Sequence, residues 1–188
     1  MRTAYIAMGG NLASWVGSPE ATLAAAAERL ESLGRVTSRS SLYSTEPVGF
    51  AAQPRFINAV VALETELTPQ TLLKKLLTIE QEFGRDRSAS FANGPRTLDL
   101  DILLFDNLRV SEPGLEIPHP RLAGRAFVLV PLCEIAPGAV DAGSGLTVSQ
   151  LLHRLRENSG SETHAVVPIE SDSWRAGAGR GGVYPGQA

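Results

Sequence analysis

The chain has 188 residues, of which 43 % are hydrophobic, so it is long enough for one domain with a buried core. Its formal net charge of -3 at pH 7 argues against a broad positive surface for nucleic acid or an anionic membrane. We therefore expect a small-molecule partner, no nucleic acid and no membrane.

The cysteine and hydropathy patterns indicate the cellular compartment in which the protein is located. The single cysteine, Cys133, cannot form a disulfide within the chain, which is typical of a reducing compartment. The N-terminus carries one basic residue, Arg2, and lacks the apolar run of a signal peptide. No apolar stretch reaches the roughly 20 residues that a membrane-spanning helix needs. The sequence predicts a cytoplasmic protein, and we expect a monomer.

The N-terminal part of the chain alternates between strand-like and helix-like patterns. A strand over residues 3–8 is followed by glycines and an asparagine at 9–11, which tolerate positive φ and predict a turn. Ser18 is a typical N-cap, and the apolar stripe that follows it predicts an amphipathic helix that ends at Gly34. A second strand is predicted over residues 35–43, with a turn-rich loop after it.

The same alternation is repeated further along the chain. Residues 56–66 have the β-branched composition of a strand, and Thr68 with the following proline predicts a helix that closes at Gly84. Residues 85–95 lack periodicity and predict a surface loop. A strand over residues 97–105 follows that loop.

This order of elements predicts the fold class. Strand, helix, strand, strand, helix, strand is the split βαβ arrangement, so we expect an α+β, ferredoxin-like βαββαβ core. In it, an antiparallel sheet carries its helices on one face. Residues 1–158 are predicted to form a single domain, and the Gly/Ser-rich tail at 159–188 is predicted to be flexible and dispensable.

Two further helices are predicted between that core and the tail. Residues 127–135 are ambiguous, because their branched residues favour a strand whereas Pro131 disfavours a central strand. A helix is preferred there, partly on the resemblance described below. Thr147 and Gln150 form a capping box that predicts a last helix running to about residue 157.

The motif at residues 94–105 carries the most chemical information. It sets Asp99 and Asp101 one residue apart on the predicted strand, directly after Arg96. Residues i and i+2 of a strand stand roughly 6.6 Å apart on the same side. Paired carboxylates at that distance suit hard cations, above all Mg²⁺ carrying phosphate. The motif therefore predicts a divalent-cation site beside an anion site.

Arginines accumulate around this acid pair, before and after it in the chain. Guanidinium groups bind phosphate oxygens in pairs of hydrogen bonds, so the cluster predicts a polyphosphate site. The chain has no Gly-x-x-x-x-Gly-Lys-Ser/Thr loop, so discrete side chains would hold the phosphates. The alternative is that these residues have no binding role. The arginines would then simply be solvated at the surface, and the acid pair would protect an edge strand from aggregation. The side chains concerned are Arg85, Arg87, Arg96, Arg121 and Arg125, with His119 near them.

Five separated blocks of the sequence resemble one enzyme family, the 6-hydroxymethyl-7,8-dihydropterin pyrophosphokinases of the folate pathway. The Gly-Pro-Arg-Thr-Leu-Asp-Leu-Asp run is the most specific of them, and the resemblance covers about residues 3–157. The blocks are Tyr43-Ser44-Thr45-Glu46-Pro47-Val48-Gly49, Gln53-Pro54-Arg55-Phe56-Ile57-Asn58-Ala59, Gly84-Arg85-Asp86-Arg87, residues 94–101 and residues 118–127.

The resemblance implies a reaction and a site. The diphosphate of ATP is transferred to the hydroxymethyl oxygen of 6-hydroxymethyl-7,8-dihydropterin, which releases AMP. The metal ligands for two Mg²⁺ ions would be Asp99 and Asp101, which with Arg85, Arg87 and Arg96 form the implied catalytic set. The implied nucleotide contacts are Glu80, Arg85, Arg87, Arg96, Ile102, His119 and Arg125. The implied pterin contacts are Thr45, Val48, Phe56, Asn58 and Phe127, with the two phenyl rings as a sandwich.

Other readings of the same residues stay open on the sequence alone. A metal-dependent phosphatase or nuclease could use the acid pair and the arginines. A ferredoxin-like RNA-binding module would need a basic aromatic signature that is not found here. A zinc site is disfavoured because one cysteine and three scattered histidines lack ligand spacing. As a hypothesis, Asp99 or Asp101 accepts the proton of the attacking hydroxyl group.

Overall fold

The computed structural model describes residues 1–47, 52–87, 94–159 and 166–176. Its strands are β1 (Arg2–Gly10), β2 (Arg35–Arg39), β3 (Leu42–Thr45), β4 (Phe56–Thr65), β5 (Asp99–Phe105), β6 (Val110–Glu112), β7 (Leu115–Ile117), β8 (Val140–Asp141), β9 (Leu146–Thr147) and β10 (Val167–Ile169). Its α-helices are α1 (Pro19–Leu30), α2 (Pro69–Glu82), α3 (Ala126–Ile135), α4 (Val148–Ser159) and α5 (Asp172–Ala176). Within these ranges, no helix combines the length and apolarity that crossing a bilayer requires.

The central sheet has the order β10-β3-β4-β1-β5, and β2 pairs with β4 beside β3. All of its neighbouring strands run antiparallel. The elements β1, α1, β2 with β3, β4, α2 and β5 follow the predicted βαββαβ order. The prediction of an α+β fold with an antiparallel sheet is therefore confirmed.

The helices α1 and α2 of the βαββαβ core pack on one face of the sheet, as predicted, whereas the additional helices α3 and α4 cover the other face. Along β1, Ala4, Ile6 and Met8 belong to one buried cluster, which also contains α1 and α2 side chains. Tyr5 and Ala7 face the other way and pack with α3 and α4. Since strand side chains alternate, a sheet with apolar residues at both parities requires cover on both sides.

The chain segment between residues 35 and 45 forms two strands rather than the one that was predicted. β2 and β3 both pair with β4, and they are separated at Ser40 and Ser41. The Ser40 Oγ accepts a hydrogen bond of 2.9 Å from the Val60 N–H and so replaces the backbone carbonyl that a regular strand pair would provide. A local hydroxyl acceptor of this kind allows a bulge without an unsatisfied buried donor.

Part of the C-terminal tail is ordered, against the expectation of a loose segment. β10 adds to the edge of β3, and the side chain of Trp174 on α5 is only 7 % exposed. Residues 160–165 and 177–188 lie outside the described residues. The predicted domain boundary at residue 158 stays a prediction.

The remaining helices follow their sequence signals closely. α3 runs from Ala126 to Ile135 with Pro131 inside it, as the helix prediction expected. Thr147 and Gln150 exchange hydrogen bonds at the start of α4, which is the predicted capping box. The short hairpins β6–β7 and β8–β9 were not predicted from the sequence.

Candidate active site

A row of residues crosses the sheet on the face that carries α3. In the strand registers, Gly9 of β1 stands opposite Asn58 of β4 on one side and opposite Asp99 of β5 on the other. Tyr43 of β3 stands opposite Asn58 and extends the row. Since Gly9 has no side chain, it leaves open the space between the asparagine and the aspartate. The earlier expectation that residues 9 and 10 form a turn was wrong, because β1 continues through both.

Asp99 and Asp101 point to the same face, as the strand geometry predicted. Asp101 stands opposite Ala7, whose side chain packs with α3 and α4. Burial raises the pKa of Asp101, and the nearby charge of Asp99 raises it further, whereas His119 and Arg125 lower it. Two half-buried like charges side by side favour the binding of a cation between them.

Three arginines surround the carboxylate of Asp99. The Arg96 Nε lies 3.2 Å from Asp99 Oδ2, and one Nη of Arg85 and of Arg87 each lies 3.8 Å from Asp99 Oδ1. Burial lowers the pKa of Arg85, although the charge of Asp99 raises it. Asp99, together with Glu80, which pairs with Arg87, carries two negative charges against three guanidinium groups, so the cluster keeps positive charge for an incoming anion.

Glu80 connects α2 to this cluster. Its side chain is 1 % exposed, and both of its oxygens accept hydrogen bonds of 2.7–2.9 Å from Arg87. The Leu100 N–H, between the two aspartates, donates to Glu80 Oε1 at 2.8 Å. Burial raises the pKa of Glu80, and these hydrogen bonds oppose that rise. Glu80 is therefore not an ordinary helix-surface carboxylate, because β5 passes directly over this position.

His119 and Arg125 lie close enough to Asp101 for their charges to lower its pKa. The Arg121 N–H donates to His119 Nδ1 at 3.0 Å, so a neutral His119 carries its proton on Nε2. Burial lowers the pKa of His119, and the charge of Asp101 opposes this. Burial also lowers the pKa of Arg125. The structure thus brings both residues into the electrostatic surroundings of the acid pair.

The two predicted aromatic residues each lie beneath an arginine of the site. The Arg96 Cζ is 4.7 Å from the ring centroid of Phe56, and the Arg125 Cζ is 5.5 Å from that of Phe127. Both are cation–π contacts. Phe56 is buried, whereas Phe127 at the start of α3 is partly exposed. The aromatic part of the site therefore adjoins the arginine cluster.

Asn58 is held in one orientation by Thr45. The Asn58 Nδ2 donates to the Thr45 Oγ1 at 2.8 Å, and both residues are buried. This leaves the Asn58 Oδ1 as an acceptor beside Gly9. Val48 lies outside the described residues. Ile102 is not brought to the acid pair, because its side chain is buried in the cluster on the opposite face.

Asn11 is a residue of the site region that sequence reasoning took only for a turn residue. It is 4 % exposed, and its Nδ2 donates to Gln53 Oε1 and to the Pro54 carbonyl. Its Oδ1 accepts a hydrogen bond from the Arg96 N–H at 2.9 Å. One amide thus ties together three segments that are distant in sequence. A polar residue at the end of a strand gives no sequence signal for such a role.

Comparison with known proteins decides what this site belongs to. A family model described as 7,8-dihydro-6-hydroxymethylpterin-pyrophosphokinase (HPPK) matches residues 5–137. The chain belongs to the HPPK family. The predicted resemblance is thereby confirmed, as is pyrophosphokinase activity in folate biosynthesis with ATP as co-substrate.

Similar curated HPPK enzymes come from several bacteria. The 2-amino-4-hydroxy-6-hydroxymethyldihydropteridine pyrophosphokinase of Methylorubrum extorquens is 43 % identical over 157 residues, which cover 82 % of this chain and 94 % of that protein. The enzyme of the same name from Pseudomonas aeruginosa is 47 % identical over 135 residues, covering 71 % of this chain and 80 % of that protein.

A solved structure with a similar fold is the HPPK-DHPS protein of Plasmodium falciparum, in its A437G form with SDX-DHP. It superposes with a TM-score of 0.70 at 16 % identity, over 89 % of this chain and 49 % of that chain. This chain therefore spans about half of that protein, and the likeness concerns the fold alone.

The acid pair of this HPPK chain fits magnesium bound together with a nucleotide. Among the described residues, no group of three or more His, Cys, Asp or Glu side chains is arranged around one point. Mg²⁺ is commonly held by one or two carboxylates while phosphates and water complete its shell. Two carboxylates on one strand face, next to an arginine cluster, match that donor set.

Proposed function

We propose that this chain transfers diphosphate from ATP to 6-hydroxymethyl-7,8-dihydropterin in a Mg²⁺-dependent reaction at the row Asn58, Gly9 and Asp99. The hydroxymethyl oxygen forms a bond to the β-phosphorus, and the bond from that phosphorus to the oxygen of AMP breaks. Asp99 and Asp101 would hold two Mg²⁺ ions, which neutralise charge on the phosphate oxygens when bound. That the acid pair also accepts the hydroxyl proton stays a hypothesis.

The arginine cluster would bind the phosphates of ATP. Arg85, Arg87 and Arg96 already surround one carboxylate, and each can exchange this contact for a phosphate oxygen. His119 and Arg125 interact electrostatically with Asp101 and would also contact the nucleotide. Phosphoryl transfer depends mainly on positioning and charge stabilisation, which this arrangement supplies.

The pterin would bind next to the arginines, between Phe56 and Phe127. A flat heterocycle gains stacking energy on such rings beyond simple burial. Asn58 would offer its Oδ1 to an N–H of the pterin, because its Nδ2 is already engaged by Thr45. Entry of the pterin would require Arg96 and Arg125 to leave the ring faces that they now cover.

The observation that carries this proposal is the shared face of Asp99 and Asp101 within reach of three arginines. The test is incubation of the purified protein with ATP, Mg²⁺ and the pterin, with nucleotide products resolved. AMP and the pterin diphosphate are expected, with loss of turnover in excess EDTA. Release of ADP or of inorganic phosphate would contradict the proposed reaction.

The quaternary state and location are proposed from the sequence. We expect a cytoplasmic monomer. Size-exclusion chromatography with light scattering tests the monomer directly. A mass of twice 20.0 kDa would contradict it.

A further inference from the structure

The C-terminal segment at 166–176 holds the strand that carries part of the pterin site. Val167, Pro168 and Ile169 of β10 stand opposite Ser44, Tyr43 and Leu42 of β3. The next residue of β3 after Ser44 is Thr45, whose hydroxyl fixes Asn58. The family model ends at residue 137, so this segment lies outside the matched region.

The break between β2 and β3 is fixed by Trp174 from one face of the sheet. Its ring packs in the cluster that contains α1, with the Arg39 Cζ 5.6 Å from the ring centroid. Its Nε1–H donates a hydrogen bond of 2.8 Å to the Ser40 carbonyl. A bulge changes the direction of the strand that follows it, so this contact bears on where β3 ends.

The same break is fixed from the opposite face by Glu134 of α3. Its carboxylate accepts hydrogen bonds from the Ser41 N–H and Oγ and from the Tyr43 hydroxyl, at 2.8–3.0 Å. Tyr43 and Asn58 are direct neighbours in the row across the sheet. The residues at the break are therefore held between α5 and α3.

We propose that Trp174 is a positioning residue for the pterin side of the site, an inference that rests on the proposed function. It acts through Ser40 and β3 on Thr45, and through Thr45 on the orientation of Asn58. On the nucleotide side, Asp99 and Asp101 lie on β5, which β4 and β1 separate from β3. Loss of the Trp174 contacts is therefore expected to weaken pterin binding selectively.

Steady-state kinetics of the full-length chain test this proposal. Trp174→Ala is expected to raise the KM for the pterin about tenfold while the KM for ATP changes less than about twofold. Trp174→Phe retains a ring over Arg39 but loses the N–H donor, and is expected to raise the pterin KM about threefold. If Trp174→Ala does not fold, the pterin KM of Trp174→Phe tests the proposal.

Leu152→Ala is the matched control, because Leu152 is a buried residue of α4, a helix that packs mainly against α3 and β9. It is expected to lower Tm and leave the pterin KM unchanged. A pterin KM for Trp174→Phe equal to the wild-type value would overturn the inference, as would an equal rise in Leu152→Ala. Absence of turnover in the wild type would instead contradict the proposed function itself.

Discussion

Glu80 and Arg87 form a two-pronged ion pair in which the carboxylate is almost fully buried and the arginine is half-exposed. The same carboxylate accepts the Leu100 N–H between the two aspartates. One side chain of α2 therefore fixes both the strand that carries the acid pair and an arginine that faces it. Removing either partner of a buried ion pair leaves a costly unsatisfied group.

Replacement of Glu80 is expected to reduce stability and nucleotide binding together. Glu80→Ala leaves the Leu100 N–H without its acceptor, so the free energy of unfolding should fall by about 1–3 kcal/mol. Arg87 would also lose its anchor, which should raise the KM for ATP. Urea unfolding and steady-state kinetics measure the two effects. Glu82→Ala, which breaks an exposed pair with Arg29, is the control and should cost less than about 1 kcal/mol.

The acid pair should be essential for the rate and dispensable for folding. Asp99→Ala and Asp101→Ala are each expected to lower kcat at least ~100-fold, because each removes a proposed metal ligand. Circular dichroism and AMP release measure fold and rate. Asp106→Asn, in the turn after β5, preserves the acceptor for the Thr3 N–H and should retain full activity. Near-wild-type rates in either alanine variant would refute a metal role for that residue.

Gly9 and Gly10 are expected to respond differently to the same substitution. A Cβ on Gly9 would lie 2.9 Å from Asn58 Oδ1, so Gly9→Ala should displace that side chain and raise the pterin KM about tenfold. A Cβ on Gly10 would instead collide with the backbone carbonyl of Thr97, which cannot rotate away. Gly10→Ala should therefore mainly lower Tm. Equal effects of both variants on pterin KM and Tm would contradict this distinction.

The Tyr43 phenol should titrate at unusually high pH. Burial, and then the hydrogen bond to Glu134 and its charge, raise the pKa of Tyr43 from 10.0 to about 12. Because the folded pKa lies above the ordinary one, the associated stability is present below pH 10 and is lost as pH rises towards about 12. Spectrophotometric titration against Tyr43→Phe isolates this group. Glu134→Gln should lower the pKa; an unchanged value would exclude the carboxylate as a cause.

The sequence could predict the residues whose roles follow from local geometry. Alternation along one strand is enough to place Asp99 and Asp101 on the same side, and cap residues are enough to locate α1, α2 and α4. The blocks that resemble the family also supplied Asn58, Phe56 and the arginines. All of these depend on residues close to one another in the chain.

The features that could not be predicted depend on contacts between distant segments. Glu80 occupies a polar position of an amphipathic helix, and only the passage of β5 over it makes that position buried. β10 has three residues, too few for a periodic pattern, and it is ordered by its partner β3. Asn11 likewise gains its role from two loops far along the chain.

The surroundings of Asp99 have a consequence for the sequence of events at the start of a catalytic cycle. A bare divalent ion approaching this carboxylate meets Arg85, Arg87 and Arg96, which repel it and already satisfy its prospective ligand. A cation that is already bound to a triphosphate arrives together with phosphate oxygens. These oxygens can pair with the three guanidinium groups while the cation pairs with the Asp99 carboxylate, so no charged group is left without a partner. Metal and nucleotide should thus be captured as one unit.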